Sequence, residues 1–248
     1  MDFANILFGG PCNRACPFCI GKQLSASLQQ DNLRLYPLRN QDQFIRELRE
    51  RNLRQLVLTG TNTDPQLYRY EQRLLRALRR QLPDAEICLH TNGALALRKM
   101  DVFNQYDRVC ISLPTFDTDT YQSLMGSRKV PDLAEIMRQA QVPVKISALA
   151  AHSSSTFLDR LAETGIRRVV LRRLYGVRET VSLPEGLIAR GTYRGNPVYS
   201  WGPMEVTLWN FETSTSASLN LFPDGSISPH YLLTRANVAP KPDKKLVV

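Results

Sequence analysis

The chain has 248 residues, 43% hydrophobic and 22% charged, with a formal net charge of +9. That balance excludes wholesale disorder, and no run of about 18 apolar residues is present to cross a membrane as a helix. Arginine supplies 25 of the 32 basic residues, many at helical spacing, so the positive field either solvates helix faces or attracts an anionic partner.

The first apolar run, Phe3 to Phe8, reads as a buried strand ended by Gly9-Gly10-Pro11. No basic segment leads into an apolar stretch at the start, so a cytoplasmic protein is expected. Phe44, Ile45 and Leu48 then lie at helical spacing before the strand-like Gln55 to Leu58. Leu67, Leu74, Leu75, Leu78 and Leu82 share a helix face before the strand Glu86 to Leu89. Leu95, Leu97 and Val102 precede Arg108 to Leu113, and Leu133, Ile136, Met137 and Ala140 precede Val142 to Leu149. Phe157, Leu158 and Leu161 precede the last of six strands, Arg167 to Leu171. Strands alternating with helices argue for an α/β chain of parallel βαβ units, whose strand ends carry the ligand site.

After about residue 180 the pattern changes. Val198 to Trp201, Met204 to Phe211, Ser216 to Phe222 and Ile227 to Leu232 look like strands joined by short turns, an antiparallel element. The expected organisation is the α/β unit over residues 1–180, an antiparallel appendage over 181–235 that closes its open side, and a polar tail over 236–248.

Five cysteines, an odd number without an export signal, speak against a disulfide framework. Three of them form Cys12-Asn13-Arg14-Ala15-Cys16-Pro17-Phe18-Cys19, spaced C-x3-C-x2-C directly after the first strand. Thiolates are soft ligands for zinc or iron–sulfur clusters, and a short loop can converge three sulfurs on one centre. Structural zinc takes four ligands, yet no fourth Cys is near, and His90, His152 and His230 are distant in sequence. Three thiolates would instead leave one iron of a [4Fe–4S] cluster open to an outside ligand.

With aromatic Phe18 before the last Cys, this loop resembles the signature of the radical S-adenosylmethionine (SAM) superfamily. The resemblance spans roughly residues 1–180 and implies a partial (β/α)6 TIM-like barrel with the small antiparallel β element at its C-terminal end. It implies that Cys12, Cys16 and Cys19 hold the cluster and that the open iron chelates SAM. One electron would cleave SAM to methionine and a 5′-deoxyadenosyl radical, which abstracts hydrogen from a substrate.

Further likenesses follow successive strands. Thr59-Gly60-Thr61-Asn62 stands where the family has a Gly-Gly-Glu segment around the SAM amino group. Only Gly60 matches, leaving Asn62 or Asp64 to stand in for the carboxylate. His90-Thr91-Asn92-Gly93 contains the family's Thr-Asn-Gly. Ser112-Leu113, continuing to Gly126, resembles a stretch of the molybdopterin-precursor GTP cyclases and of peptide-maturing relatives. Val144-Lys145-Ile146-Ser147 matches the same relatives, whose lysine faces substrate. The resemblance thus implies SAM contacts from Phe18, Gly60, Thr61, Asn62, Asn92, Ser112, Ser147 and Arg172. It implies substrate contacts from Thr91, Lys145 and Arg173, with Lys145 as the catalytic candidate.

Departures narrow the reading. Cys88 and Cys110 sit in apolar strands and read as core, so there is no second cluster, and Asn5 and Leu56 replace the arginines that bind GTP. Adjacent Arg172 and Arg173 point to opposite faces, so one of them enters the cavity. Arg14 either tunes the cluster or caps its loop. His152, Tyr175, Tyr193, Tyr199, Trp201, Trp209 and Tyr231 are candidate cavity walls.

The expected function is a radical SAM enzyme acting on a polar or anionic small molecule or natural-product precursor. An external one-electron donor such as flavodoxin or ferredoxin would reduce it, and no membrane is involved. The alternatives are a macromolecular substrate (a peptide, a glycyl-radical enzyme or RNA), nucleic acid being possible but not favoured, and a non-enzymatic iron–sulfur or zinc-binding protein.

Overall fold

A computed structural model describes residues 1–176 and 181–230; Tyr231, the 236–248 tail and the end of the expected Ile227 to Leu232 strand fall outside them. Six strands follow the expected alternation: β1 (Phe3–Phe8), β2 (Gln55–Gly60), β3 (Glu86–Thr91), β4 (Arg108–Ser112), β5 (Val144–Leu149) and β6 (Arg168–Arg172). Between them run α1 (Gln41–Glu50), α2 (Glu71–Gln81), α3 (Met100–Phe103), α4 (Thr118–Met125), α5 (Leu133–Gln139) and α6 (Ser155–Glu163). The side chains of Asp117, Asp132 and Ser154 cap α4, α5 and α6 by accepting from backbone N–H groups of the first turn.

Beyond these lie β7 (Ile188–Tyr193), β8 (Asn196–Trp201), β9 (Met204–Trp209), β10 (Ser218–Leu221) and β11 (Ile227–Ser228). The sheet order is β11-β10-β1-β2-β3-β4-β5-β6-β9-β8-β7. The pairs β7–β8, β8–β9 and β10–β11 are antiparallel. Two pairings go beyond the expected pattern: β9 joins β6, and β10 joins β1, both in parallel. The C-terminal region therefore extends the parallel sheet on both flanks. At its N-terminal rim the sheet curls on itself. Arg194, in the β7–β8 turn, pairs with Asp2 at 3.8 Å and stacks on Phe3 at 5.8 Å.

Strand alternation sorts the sheet into two faces. On one, Ile6, Leu58, Leu89, Ile111, Ile146 and Leu171 are fully buried against Phe44, Leu48, Leu74, Leu78, Leu158 and Leu161 of the helices. Fully burying each such side chain contributes roughly 2 kcal/mol. The other, concave face mixes polar side chains with apolar ones such as Leu7, Val57 and Val170. The register carries His90, Cys110 and Lys145 across β3, β4 and β5 in one row. Ser112, Ser147, Val170 and Thr207 form another row across β4, β5, β6 and β9. Cys88 and Cys110 are buried, as expected of core residues, yet they belong to this face.

Candidate functional site

Strand β1 delivers the cysteine loop to the C-terminal rim of the sheet. Backbone and side-chain contacts hold the loop. Ala15 N–H donates to Met125 O at 3.0 Å, Thr63 Oγ1 donates to Pro11 O at 2.6 Å, and Lys22 Nζ donates to Cys16 O at 2.7 Å. Arg14 donates to Asn13 O at 2.9 Å and Lys129 O at 3.0 Å, with its guanidinium 5.8 Å from the Tyr121 ring centre. Arg14 thus caps the loop. Gly126, with φ +67°, would bring a Cβ within 2.7 Å of Ala15 Cβ, so the loop lies against a position that only glycine fills without strain.

Cys12 is exposed, while Cys16 and Cys19 are half-buried. Cys16 Sγ lies 3.6 Å from Met125 Sδ, and Cys19 Sγ lies 3.8 Å from Thr61 O. Burial first, then the neighbouring Cys19 and Cys12, pushes the Cys16 thiol up to about 11. Cys12, though its residue is exposed overall, is raised too, by partial desolvation of its sulfur and then by the negative Asp64 and Cys19 nearby. Three thiolates brought together repel one another, and a bound cationic centre removes that penalty while releasing their protons.

Among the described residues, no three His, Cys, Asp or Glu side chains surround one position suited to a single metal ion. Ligands to separate irons of a cube stand farther apart than ligands to one ion, and the two other cysteines lie inside β3 and β4. Three thiols on one short loop, close enough to perturb each other, fit a [4Fe–4S] cluster with one iron left for an outside ligand. Phe18 beside them is half-buried and packs on the main core.

The loop after β2 is wedged against the cysteine loop. A Cβ on Gly60 would lie 1.8 Å from Thr63 O, and one on Gly21 would lie 1.7 Å from Thr61 O. Thr61 gives both its N–H and its hydroxyl to Phe8 O, at 2.7 and 3.0 Å. Asn62 Oδ1 accepts from Gly10 N–H at 3.1 Å, so its amide braces the cysteine loop. Two expectations are corrected here. Asp64 is 3% exposed and its carboxylate accepts from Gln66 N–H, Thr91 Oγ1 and Asn92 N–H, so it is not aimed at a SAM amino group. Thr91 points to the helix side of β3 with its hydroxyl spent on Asp64, so it does not reach a substrate on the concave face.

Asn92 is held at the rim, its Nδ2 donating to Asn13 Oδ1 at 2.7 Å and lying 4.0 Å from Cys12 Sγ. Ser112 and Ser147 face each other across β4 and β5 on the concave side. At the end of β6, Arg172 is exposed. With Arg173, His152, Leu149, Leu174 and Val181 it lines a small cleft. Arg173 N–H donates to Trp209 O at 3.0 Å.

Charges on the concave face divide into paired and unpaired ones. Arg108 binds Glu86, and Arg168, one residue before the Ile146–Val169 pair and so level with Lys145, lies 3.7 Å from Glu205. Lys145 and Arg172 have no carboxylate partner among the described residues. His90 lies near both. Burial first, then the positive charges of Lys145 and Arg172, pushes its imidazole well below the usual 6.5. The sequence alone sets His90 too far from the cysteines for a zinc ligand, and its strand neighbours follow only from the register of β3, β4 and β5.

The aromatic candidates disperse. Trp201 Nε1 donates to Asp159 on α6 at 2.9 Å, so it braces that helix instead of lining the concave face. Tyr193 is 51% exposed and stands near Arg108 at the opposite rim, so it is no wall of an upper cavity. Tyr175 packs edge-on against Phe211 at 6.1 Å. Tyr199 packs on the core, and Trp209 stands opposite Arg172 in the register.

Residues 6–180 match the family model of the Radical SAM superfamily. No curated protein matches the chain. Among solved structures, SuiB of Streptococcus suis bound to precursor peptide SuiA has a TM-score of 0.56 at 17% identity, covering 70% of this chain and 40% of that one. SuiB bound to S-adenosylmethionine has a TM-score of 0.55 at 17% identity, covering 74% and 43%. The chain therefore spans less than half the length of these structures.

Proposed function

The chain belongs to the radical SAM superfamily, whose enzymes use a [4Fe–4S] cluster and SAM, and from that premise we propose that it abstracts hydrogen from an anionic small molecule held on the concave face. Cys12, Cys16 and Cys19 would hold the cluster. When bound, the cluster and SAM, given one electron by a donor such as flavodoxin or ferredoxin, supply a 5′-deoxyadenosyl radical. The protein's own residues bind and orient. Ser112, Ser147 and Asn92 lie on the SAM side, with Gly60 and Thr61 shaping the adjoining loop.

The observation that carries the substrate reading is the pair of cations on β5 and β6, which have no carboxylate partner among the described residues. Lys145 is half-buried and Arg172 stands at the exposed end of β6; a carboxylate or phosphate of SAM or of the substrate supplies the counter-ion each lacks. Neutral His90 beside them can donate to that group or accept from the substrate. Arg172 would take the SAM carboxylate, and Lys145 the substrate.

A peptide substrate is the second reading. Every residue of β7, at one end of the sheet, is exposed, and an edge strand can pair with an extended chain.

Anaerobic reconstitution with iron and sulfide, then SAM and dithionite, tests the proposal through 5′-deoxyadenosine measured by chromatography. The expected result is SAM-dependent product that rises with an anionic substrate. Lys145→Ala is expected to lower substrate-coupled turnover roughly tenfold more than uncoupled cleavage. Equal loss of both would move Lys145 to the SAM side, and a loaded cluster that never cleaves SAM would overturn the reading.

A further inference from the structure

We infer that Asp64 is a positioning residue for the cysteine loop: it fixes the Thr91-Asn92 turn so that the Asn92 carboxamide is aimed at Asn13 and Cys12. The carboxylate is almost wholly enclosed. Its oxygens accept from Gln66 N–H at 2.9 Å, Thr91 Oγ1 at 2.8 Å and Asn92 N–H at 2.6 Å. The Thr91 hydroxyl has one proton, which goes to Asp64, and its lone pair accepts Gly93 N–H at 3.1 Å. Asn92 Oδ1 accepts Ala94 N–H at 3.0 Å. The Asn92 side chain is thereby held at its backbone and its oxygen, and its NH2 faces the cysteine loop.

Two features argue for more than turn stability. Burying a carboxylate costs several kcal/mol unless it is fully bonded, and an uncharged cap closes a turn at lower cost. The chain of bonds also ends at the cysteine loop: Asp64 to Asn92, Asn92 to Asn13, and Asn13 Oδ1 3.7 Å from Cys12 Sγ. Partners one step removed from a metal ligand set its orientation and tune the centre it binds. The inference rests on the three cysteines holding the cluster, and failure of that premise would show separately, as wild-type protein without iron.

Asp64→Asn keeps the volume but replaces one acceptor with an NH2, so at least one N–H of the turn loses its partner. The readouts are iron per chain, the electron paramagnetic resonance spectrum of the reduced cluster with SAM, and the cleavage rate. Expected are unchanged iron, a shifted spectrum and cleavage reduced roughly 10- to 100-fold. Asn92→Ala is expected to give the same shift, and the double variant no more than either alone. A wild-type spectrum in Asp64→Asn, or losses that simply multiply in the double variant, overturns the inference. If Asp64→Asn does not fold, Asn92→Ala and Thr91→Val decide: a common spectral shift supports it, and wild-type spectra in both overturn it.

Discussion

The two faces of the one sheet differ in what they ask of a side chain. The helix-facing side carries Ile6, Leu58, Leu89, Ile111, Ile146 and Leu171, all fully buried. The concave side, on the same strands one residue along, carries Asn5, Thr59, His90, Cys110, Lys145 and Arg172. Alternation along one backbone thus separates stability from chemistry, and neighbours such as Lys145 and Ile146 answer to different requirements.

Three perturbations sharpen that contrast. The largest effect belongs to the rim. Cys16→Ala removes one of three thiolates and is expected to abolish SAM cleavage and cluster loading, read as iron per chain. Full activity would remove Cys16 from the ligand set. Next comes the helix-facing side. Ile146→Ala opens a cavity in the core and is expected to cost about 3 kcal/mol in denaturant unfolding while iron per folded chain stays unchanged. A loss below about 1 kcal/mol would mean that the two faces are not distinct in stability.

The smallest effect is a pH dependence on the concave side. His90 is held neutral in the fold, so below its usual 6.5 the unfolded chain takes up a proton that the folded chain refuses. The stability this contributes is full above pH 6.5 and is lost as pH falls below it, by at most about 1.4 kcal/mol per pH unit. The difference between wild type and His90→Gln in melting experiments isolates this group from the buried carboxylates Asp64 and Glu71, whose raised values act in the opposite direction. Parallel curves for the two proteins would refute the charge assignment.

Several features were legible because they depend on spacing alone. The six alternating units follow from apolar period, and the cysteine loop from C-x3-C-x2-C. Strand β7 escaped notice because all six of its residues are exposed, which leaves no apolar alternation to read. The parallel joins of β9 to β6 and of β10 to β1 escaped for another reason: pairing partners across 30 or more residues leave no local pattern.

By itself, then, the sequence determined the element types, the ligand-bearing loop and the family it resembles, since each rests on neighbours within a turn or two. Tertiary structure decided which polar residues share a wall. Thr91 and His90 are adjacent in the chain, yet the first is turned to Asp64 behind the sheet and the second stands with Lys145 and Arg172 in front of it. That division follows from strand register and from the curl of the sheet, which only long-range packing sets.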